Sequence, residues 1–184
     1  ILSRVIGGGM ALARAELTGP SLSRLRPKLK QTAFALWGLY IFLTLLEFSL
    51  LYFTGAMNVF DSVNHALTTM PSGGFSTRDA SIGYYDSFLV ESIIIAFMFL
   101  AGVNFTLLWF VREGDFKRAF GDEEFRNYLT YVSVAALAIF TALIASGNSI
   151  ESAARDGLFQ VVSFATSTGY TSSDYMDGSW PLVE

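Results

Sequence analysis

The sequence predicts an all-α integral membrane protein built from repeated helix–re-entrant half-helix–helix units. Three observations carry this prediction. Apolar residues make up 52% of the 184 and charged residues only 15%, where a soluble domain is nearer a quarter charged. Mean hydropathy is +0.46. The stretch Ala66–Thr77, A-L-T-T-M-P-S-G-G-F-S-T, returns 95 residues later as Val161–Ser172, V-V-S-F-A-T-S-T-G-Y-T-S. Gly74 then falls on Gly169, Phe75 on Tyr170, Asp61 on Asp156 and Asp79 on Asp174, and the apolar run 36–51 falls over 131–146. A self-similarity that includes the membrane-like runs is a repeat architecture, and repeats in membrane proteins tend to meet at a binding site.

Residues 1–15 are short and apolar around Gly7-Gly8-Gly9 and read as the tail of an earlier membrane helix, since no phosphate-binding glycine motif is complete there. Residues 16–30 form a polar connector with Pro20, Pro27, Arg24, Arg26, Lys28 and Lys30. Thr32–Thr54 is the first full crossing. As a helix it spans ~35 Å, enough for a bilayer of ~30 Å with some tilt. Glu47 interrupts it. An intramembrane carboxylate faces protein interior or water, so Glu47 either ties helices together, with Thr44 one turn away, or meets a permeation path.

Asn58–Met70 is a half-helix of ~20 Å, too short to cross, with Asn58 or Asp61 as its cap. Pro71 and the glycines then release the chain into a non-helical return. Such backbone is tolerated at membrane depth only where protein buries it or it lines a watery cavity. The half-helix aims its negative dipole end there, which favours a cation. His65 lies on this half-helix and, as the only histidine, has a packing or hydrogen-bonding role. Arg78 follows the return and is expected to pair with Asp79 or Asp86. Phe88–Val111 is the second crossing, where Ala101 and Gly102 let another helix approach. Arg112–Arg126 is a charged connector, Tyr128–Ala145 the third crossing, Asp156–Thr166 a second short helix and Ser167–Ser173 the second return.

Of the 12 lysines and arginines, all but Arg78 and Arg155 lie in residues 1–30 or 112–126. The positive-inside rule puts those connectors in the cytoplasm and both returns outside. The absence of cysteine removes disulfides and thiolate metal sites. With one histidine and no G-x-S-x-G, intramembrane hydrolysis lacks its groups, and the chain is not expected to be an enzyme.

A dehydrated cation needs oxygen ligands at short range, and backbone carbonyls supply them without burying a fixed charge. The two returns offer Ser72, Gly73, Gly74, Phe75 and Ser167, Thr168, Gly169, Tyr170 as candidate potassium ligands through their carbonyls. In each, a hydroxyl precedes the glycines and an aromatic follows, expected to wedge the loop from behind.

A-L-T-T-M-P-S-G-G-F-S-T-R-D-A-S-I-G-Y-Y-D-S resembles the second pore repeat of the TrkH/KtrB/HKT superfamily of potassium transporters, and F-A-T-S-T-G-Y-T-S-S-D-Y resembles its third. The connector G-G-G-M-A-L-A-R-A-E-L-T-G-P with L-R-P-K is similar to the link between the first and second repeats of the TrkH branch. The resemblance covers nearly all of the chain. It implies a fragment of a longer, pseudo-fourfold protein. Residues 1–30 would be the end of the preceding repeat and a cytoplasmic connector, 31–114 one pore repeat and 115–184 a partial next one. It further implies filter glycines at Gly74 and Gly169, potassium uptake across the inner membrane, a homodimer in lipid and a cytoplasmic nucleotide-binding regulatory subunit, with no nucleic acid. The alternatives are a sodium-preferring or sodium/potassium-coupled relative and a non-conducting scaffold.

Overall fold

The computed structural model describes residues 22–173, with side chains from residue 33 onward. The Gly7–Gly9 triplet, Pro20 and Asp174 lie outside the described residues. Helices, turns and loops make up the described chain, without a strand among the described residues.

Helix α1 (Leu22–Phe53) begins ten residues before the expected Thr32 and takes up much of the expected connector. Pro27 falls in its second turn, where the missing N–H removes one backbone bond and the rest continue. Contacts divide the chain into Ile1–Gly38 and Leu39–Glu184. The described part of the first unit is the leading stretch of α1, and its side chains at 33–38 are exposed or half-buried. The second unit holds the rest of α1 and every later element, both returns included.

Helix α2 (Val59–Thr69) is the half-helix, of 11 residues or ~16 Å. Asn58 is its cap: the Asn58 Oδ1 accepts the Asp61 N–H at 2.8 Å. A non-helical stretch leads to a 3₁₀ turn (Ser81–Tyr85).

The expected crossing 88–111 is broken. Helix α3 (Phe88–Ala101) and helix α4 (Phe105–Arg112) meet at a bend of 104°. The cause is local. Asn104 caps α4, its Oδ1 accepting the Thr106 N–H at 3.0 Å, so the chain restarts a helix there. Gly102 ends α3 close to Tyr128, whose hydroxyl would stand 2.6 Å from an added Cβ. That hydroxyl donates to the Phe99 carbonyl at 3.3 Å, near the end of α3. The expected close approach at Gly102 is therefore present, but at a break. Helix α5 (Phe116–Gly121) lies within the charged connector, capped by Asp115.

Helix α6 (Glu123–Ala145) is the expected third crossing and carries Tyr128. Together, Ala33–Phe53 and α6 are long and apolar enough to cross a membrane, and α3–α4 makes a third span if the bent pair counts as one. Helix α7 (Ile150–Ala165) starts six residues earlier than expected because Ser149 caps it, accepting the Ser152 N–H at 3.1 Å. It packs back along α6 at Gly157, where an added Cβ would sit 3.4 Å from Ile139 and 3.5 Å from Leu143. The core joins α3, α6, α7 and the second return through Ile94, Met98, Val132, Phe159, Val162 and Tyr170. Large apolar side chains such as Leu129, Tyr131, Val134 and Leu137 on α6 face outward, the pattern of a helix solvated by lipid.

Candidate functional site

The 95-residue repeat survives at the level of single hydrogen bonds. The N–H groups of Gly73 and Gly74 both reach the Thr68 carbonyl, at 2.7 and 3.2 Å, and those of Thr168 and Gly169 both reach the Ser163 carbonyl, at 2.9 and 3.4 Å. The Ser72 N–H donates to Thr69 at 2.9 Å, and Ser167 to Phe164 at 3.0 Å. The Thr68 hydroxyl donates to the Phe75 carbonyl at 2.9 Å, and the Ser163 hydroxyl to the Tyr170 carbonyl at 2.8 Å. Each half-helix thus ends in the same tight turn, and a hydroxyl from its last turns holds the loop beyond it.

The left-handed positions also repeat. Gly74 has φ of 62° and Gly169 of 82°, while Ser72 and Ser167, without glycine's freedom, stand at 55° and 59°. Gly73 has no such φ. The two loops run side by side: a Cβ on Gly74 would collide with the Thr168 carbonyl. Beyond them, the N–H groups of Ile82 and Gly83 donate to the Thr171 carbonyl at 3.0 and 3.1 Å.

The aromatics after the two glycines behave differently. Tyr170 is buried and reaches into the other repeat, its hydroxyl 2.6 Å from the Thr68 hydroxyl and donating to the His65 and Phe75 carbonyls at 3.3 and 3.5 Å. It braces the neighbouring repeat's loop, where the expectation was a wedge behind its own. Phe75 is 75% exposed, with its ring edge beside Gly73 of its own loop. His65 has the packing and hydrogen-bonding role expected of it. Its Nδ1 lies 2.7 Å from the Asp61 carbonyl and its Nε2 3.0 Å from the Ser76 hydroxyl, with Tyr85 and Tyr170 against the ring.

On each half-helix, upstream of its turn, a carboxylate ties down the chain leaving the loop. Asp61 accepts from the Thr77 hydroxyl at 2.6 Å, and Asp156 from the Ser172 hydroxyl at 3.1 Å. The Arg78 guanidinium donates to Asp61 at 2.8 Å and stacks on Tyr84. The expected partners Asp79 and Asp86 are therefore corrected to Asp61, which the half-helix carries back to the loop although 17 residues separate the two in sequence. Burial pushes the Asp61 carboxyl up, but the bonds from Thr77 and Arg78 outweigh it and hold it below the usual carboxylate range. Arg155, on the first turns of α7, forms a two-toothed pair with buried Glu91 of α3 at 2.6 and 2.8 Å and reaches Asp86 at 3.1 Å. Both arginines beside the loops are thus neutralised by carboxylates.

Glu47 is fully buried, and neither of its oxygens bonds to Thr44, whose hydroxyl donates to the Tyr40 carbonyl at 2.9 Å. Among the described residues, no group of three or more His, Cys, Asp or Glu could hold a metal ion.

A family model described as a TrkH cation transport protein matches residues 1–151. The chain belongs to the TrkH family. Over 180 residues it is 38% identical to the Trk system potassium uptake protein TrkH of Salmonella typhimurium, covering 95% of this chain and 36% of that protein. It is also 38% identical to TrkH of Halomonas elongata over 179 residues, with the same coverage. The crystal structure of the potassium transporter TrkH from Vibrio parahaemolyticus superposes with a TM-score of 0.74 at 33% identity, over 88% of this chain and 36% of that one. This TrkH-family chain therefore spans about a third of the length of these relatives.

Within the TrkH-family chain, the sequence reading missed Thr68 and Ser163, whose hydroxyls hold the two loops. Their signal was present, since the repeat register already places one hydroxyl residue over the other.

Proposed function

We propose that the Ser72–Phe75 and Ser167–Tyr170 loops form two segments of a potassium filter, in the pore-forming subunit of a Trk-type uptake system. The observation that carries this reading is the duplicated turn, with its left-handed glycine at Gly74 and Gly169. Such a turn leaves successive carbonyls without a side chain across them, and carbonyl number and field set ion preference. The two half-helices add the negative ends of their dipoles. The polar cleft of about 330 Å³ above the second loop, lined by Asp86, Glu91, Glu151, Arg155 and Asp156 among others, carries more acid than base and would attract cations. The names of the relatives favour potassium over sodium.

The rest of the reading goes with it. Residues 31–114 are one pore repeat and 115–184 part of the next, in an inner-membrane protein with basic connectors inside and both loops outside. The complete transporter is a pseudo-fourfold homodimer that works with a cytoplasmic nucleotide-binding subunit and catalyses no covalent reaction. Liposomes loaded with full-length protein test the function. Potassium flux well above sodium flux is expected. Equal or reversed preference would favour a sodium-coupled relative, and no flux of either ion a scaffold.

A further inference from the structure

We propose that Glu47 is a neutral carboxylic acid that braces the end of half-helix α2 from behind and thereby sets ion preference, a role that rests on the filter reading above. Glu47 projects from α1 and has no exposed surface, and neither of its oxygens has a hydrogen-bond partner among the described residues. The polar group facing it is Thr69, the last residue of α2. The Thr69 hydroxyl donates to the His65 carbonyl at 2.7 Å and touches the Tyr170 hydroxyl at 3.4 Å. Tyr170 in turn reaches the carbonyl of Phe75 in the loop. A short polar path thus leads from Glu47 through Thr69 and Tyr170 to the candidate filter.

Three facts make the carboxyl neutral and keep it off the ion path. An ionised carboxylate buried without a partner is too costly to hold. The carbonyl end of α2, which repels negative charge, lies beside it. The other titratable group facing it is the Tyr170 phenol, and Glu47 takes part in no ion pair among the described residues. A protonated carboxyl instead supplies a hydrogen that Thr69 can accept, joining α1 to the turn beneath the loop. A group with no exposed surface does not line the path, whereas loop residues such as Gly73 and Phe75 are exposed. The acid is also not a requirement of the repeat: the 95-residue register places Ala142 over Glu47 and Phe164 over Thr69, so both polar groups are replaced together.

The test uses the full-length transporter. Infrared difference spectra between wild type and Glu47→Gln at neutral pH should show a protonated-carboxyl band that the variant lacks. The potassium-to-sodium uptake ratio, with abundance checked by blotting, should be unchanged in Glu47→Gln, which keeps a donor. It should fall about fivefold, ~1 kcal/mol, in Glu47→Ala and in Thr69→Val. The valine variant keeps the acid, so it decides the matter if Glu47→Ala does not reach the membrane. Absence of the band overturns the proposal whatever the fate of the filter reading, because it makes the group an ion. So does a Glu47→Gln that behaves as Glu47→Ala, or a wild-type ratio in Thr69→Val.

Discussion

Adding one methyl group at each of three neighbouring glycines should separate the loop positions by how each is built. At Gly74, alanine would carry a left-handed strain of ~1–2 kcal/mol. Its Cβ would also overlap the Thr168 carbonyl, and relieving such an overlap costs ~1–3 kcal/mol more. The softest relief is rotation of that carbonyl, which removes an oxygen from its place in the other loop. At Gly169, φ is 82° but no atom lies within 4 Å of an added Cβ, so only the strain remains. At Gly73 there is no left-handed φ, and the nearest atoms, Phe75 Cδ2 at 3.4 Å and the Thr68 carbonyl at 3.5 Å, are ordinary contacts. The predicted order of damage is Gly74→Ala, then Gly169→Ala, then Gly73→Ala. We expect a loss of more than tenfold in potassium-to-sodium preference for the first, where ~1.4 kcal/mol is tenfold. The second should lose severalfold, and the third should stay within ~0.5 kcal/mol of wild type. The assay is uptake of the two ions in cells lacking other potassium importers, with membrane abundance blotted. If Gly73→Ala does as much harm as Gly74→Ala, the assigned loop register is wrong. If Gly74→Ala at normal abundance keeps the wild-type ratio, the loops do not select the ion.

Four further outcomes rest on the same geometry. Tyr170→Phe removes the hydroxyl between the repeats and should lower the stability of the solubilised protein by ~1 kcal/mol, because Thr68 keeps other partners; an unchanged melting temperature would deny the brace. Glu91→Ala should cost about 2 kcal/mol by leaving Arg155 with only exposed Asp86, and Glu91→Gln less, in the same melting assay. Asp61 is held below its ordinary range, so its stabilising contribution is complete above about pH 4 and is lost only as the pH falls through the lowered native value. An acid-melting profile should therefore lose that step in Asp61→Asn. A single cysteine at Asp79 should react with an impermeant reagent on intact cells and one at Lys117 should not; the reverse would invert the topology.

The parts legible in the sequence were those whose chemistry repeats. Glycine, hydroxyl and aromatic recur at a fixed offset, and three apolar runs are long enough to cross a bilayer, so the all-helical membrane fold and the two returns could be read directly. The break at Gly102–Asn104 was not legible, because Val103, Phe105 and the residues around them keep the run apolar while the cap is made by a single asparagine. Its signal was the glycine with a capping side chain two residues later. The start of α7 was set too late, at Asp156, which the repeat places over Asp61, whereas Ser149, seven residues earlier, caps the helix. The Arg78–Asp61 pair was hidden for a different reason. Asp79 and Asp86 are nearer in sequence, and only the fold-back of the loop over the half-helix brings Asp61 to the arginine.

The most direct test of the central claim is anomalous scattering from crystals of the full-length protein loaded with rubidium or thallium in place of potassium. The account predicts peaks on one axis, in contact with backbone carbonyls of Ser72–Phe75 and Ser167–Tyr170. Peaks that avoid both loops, in crystals shown to carry the ion elsewhere, would contradict it.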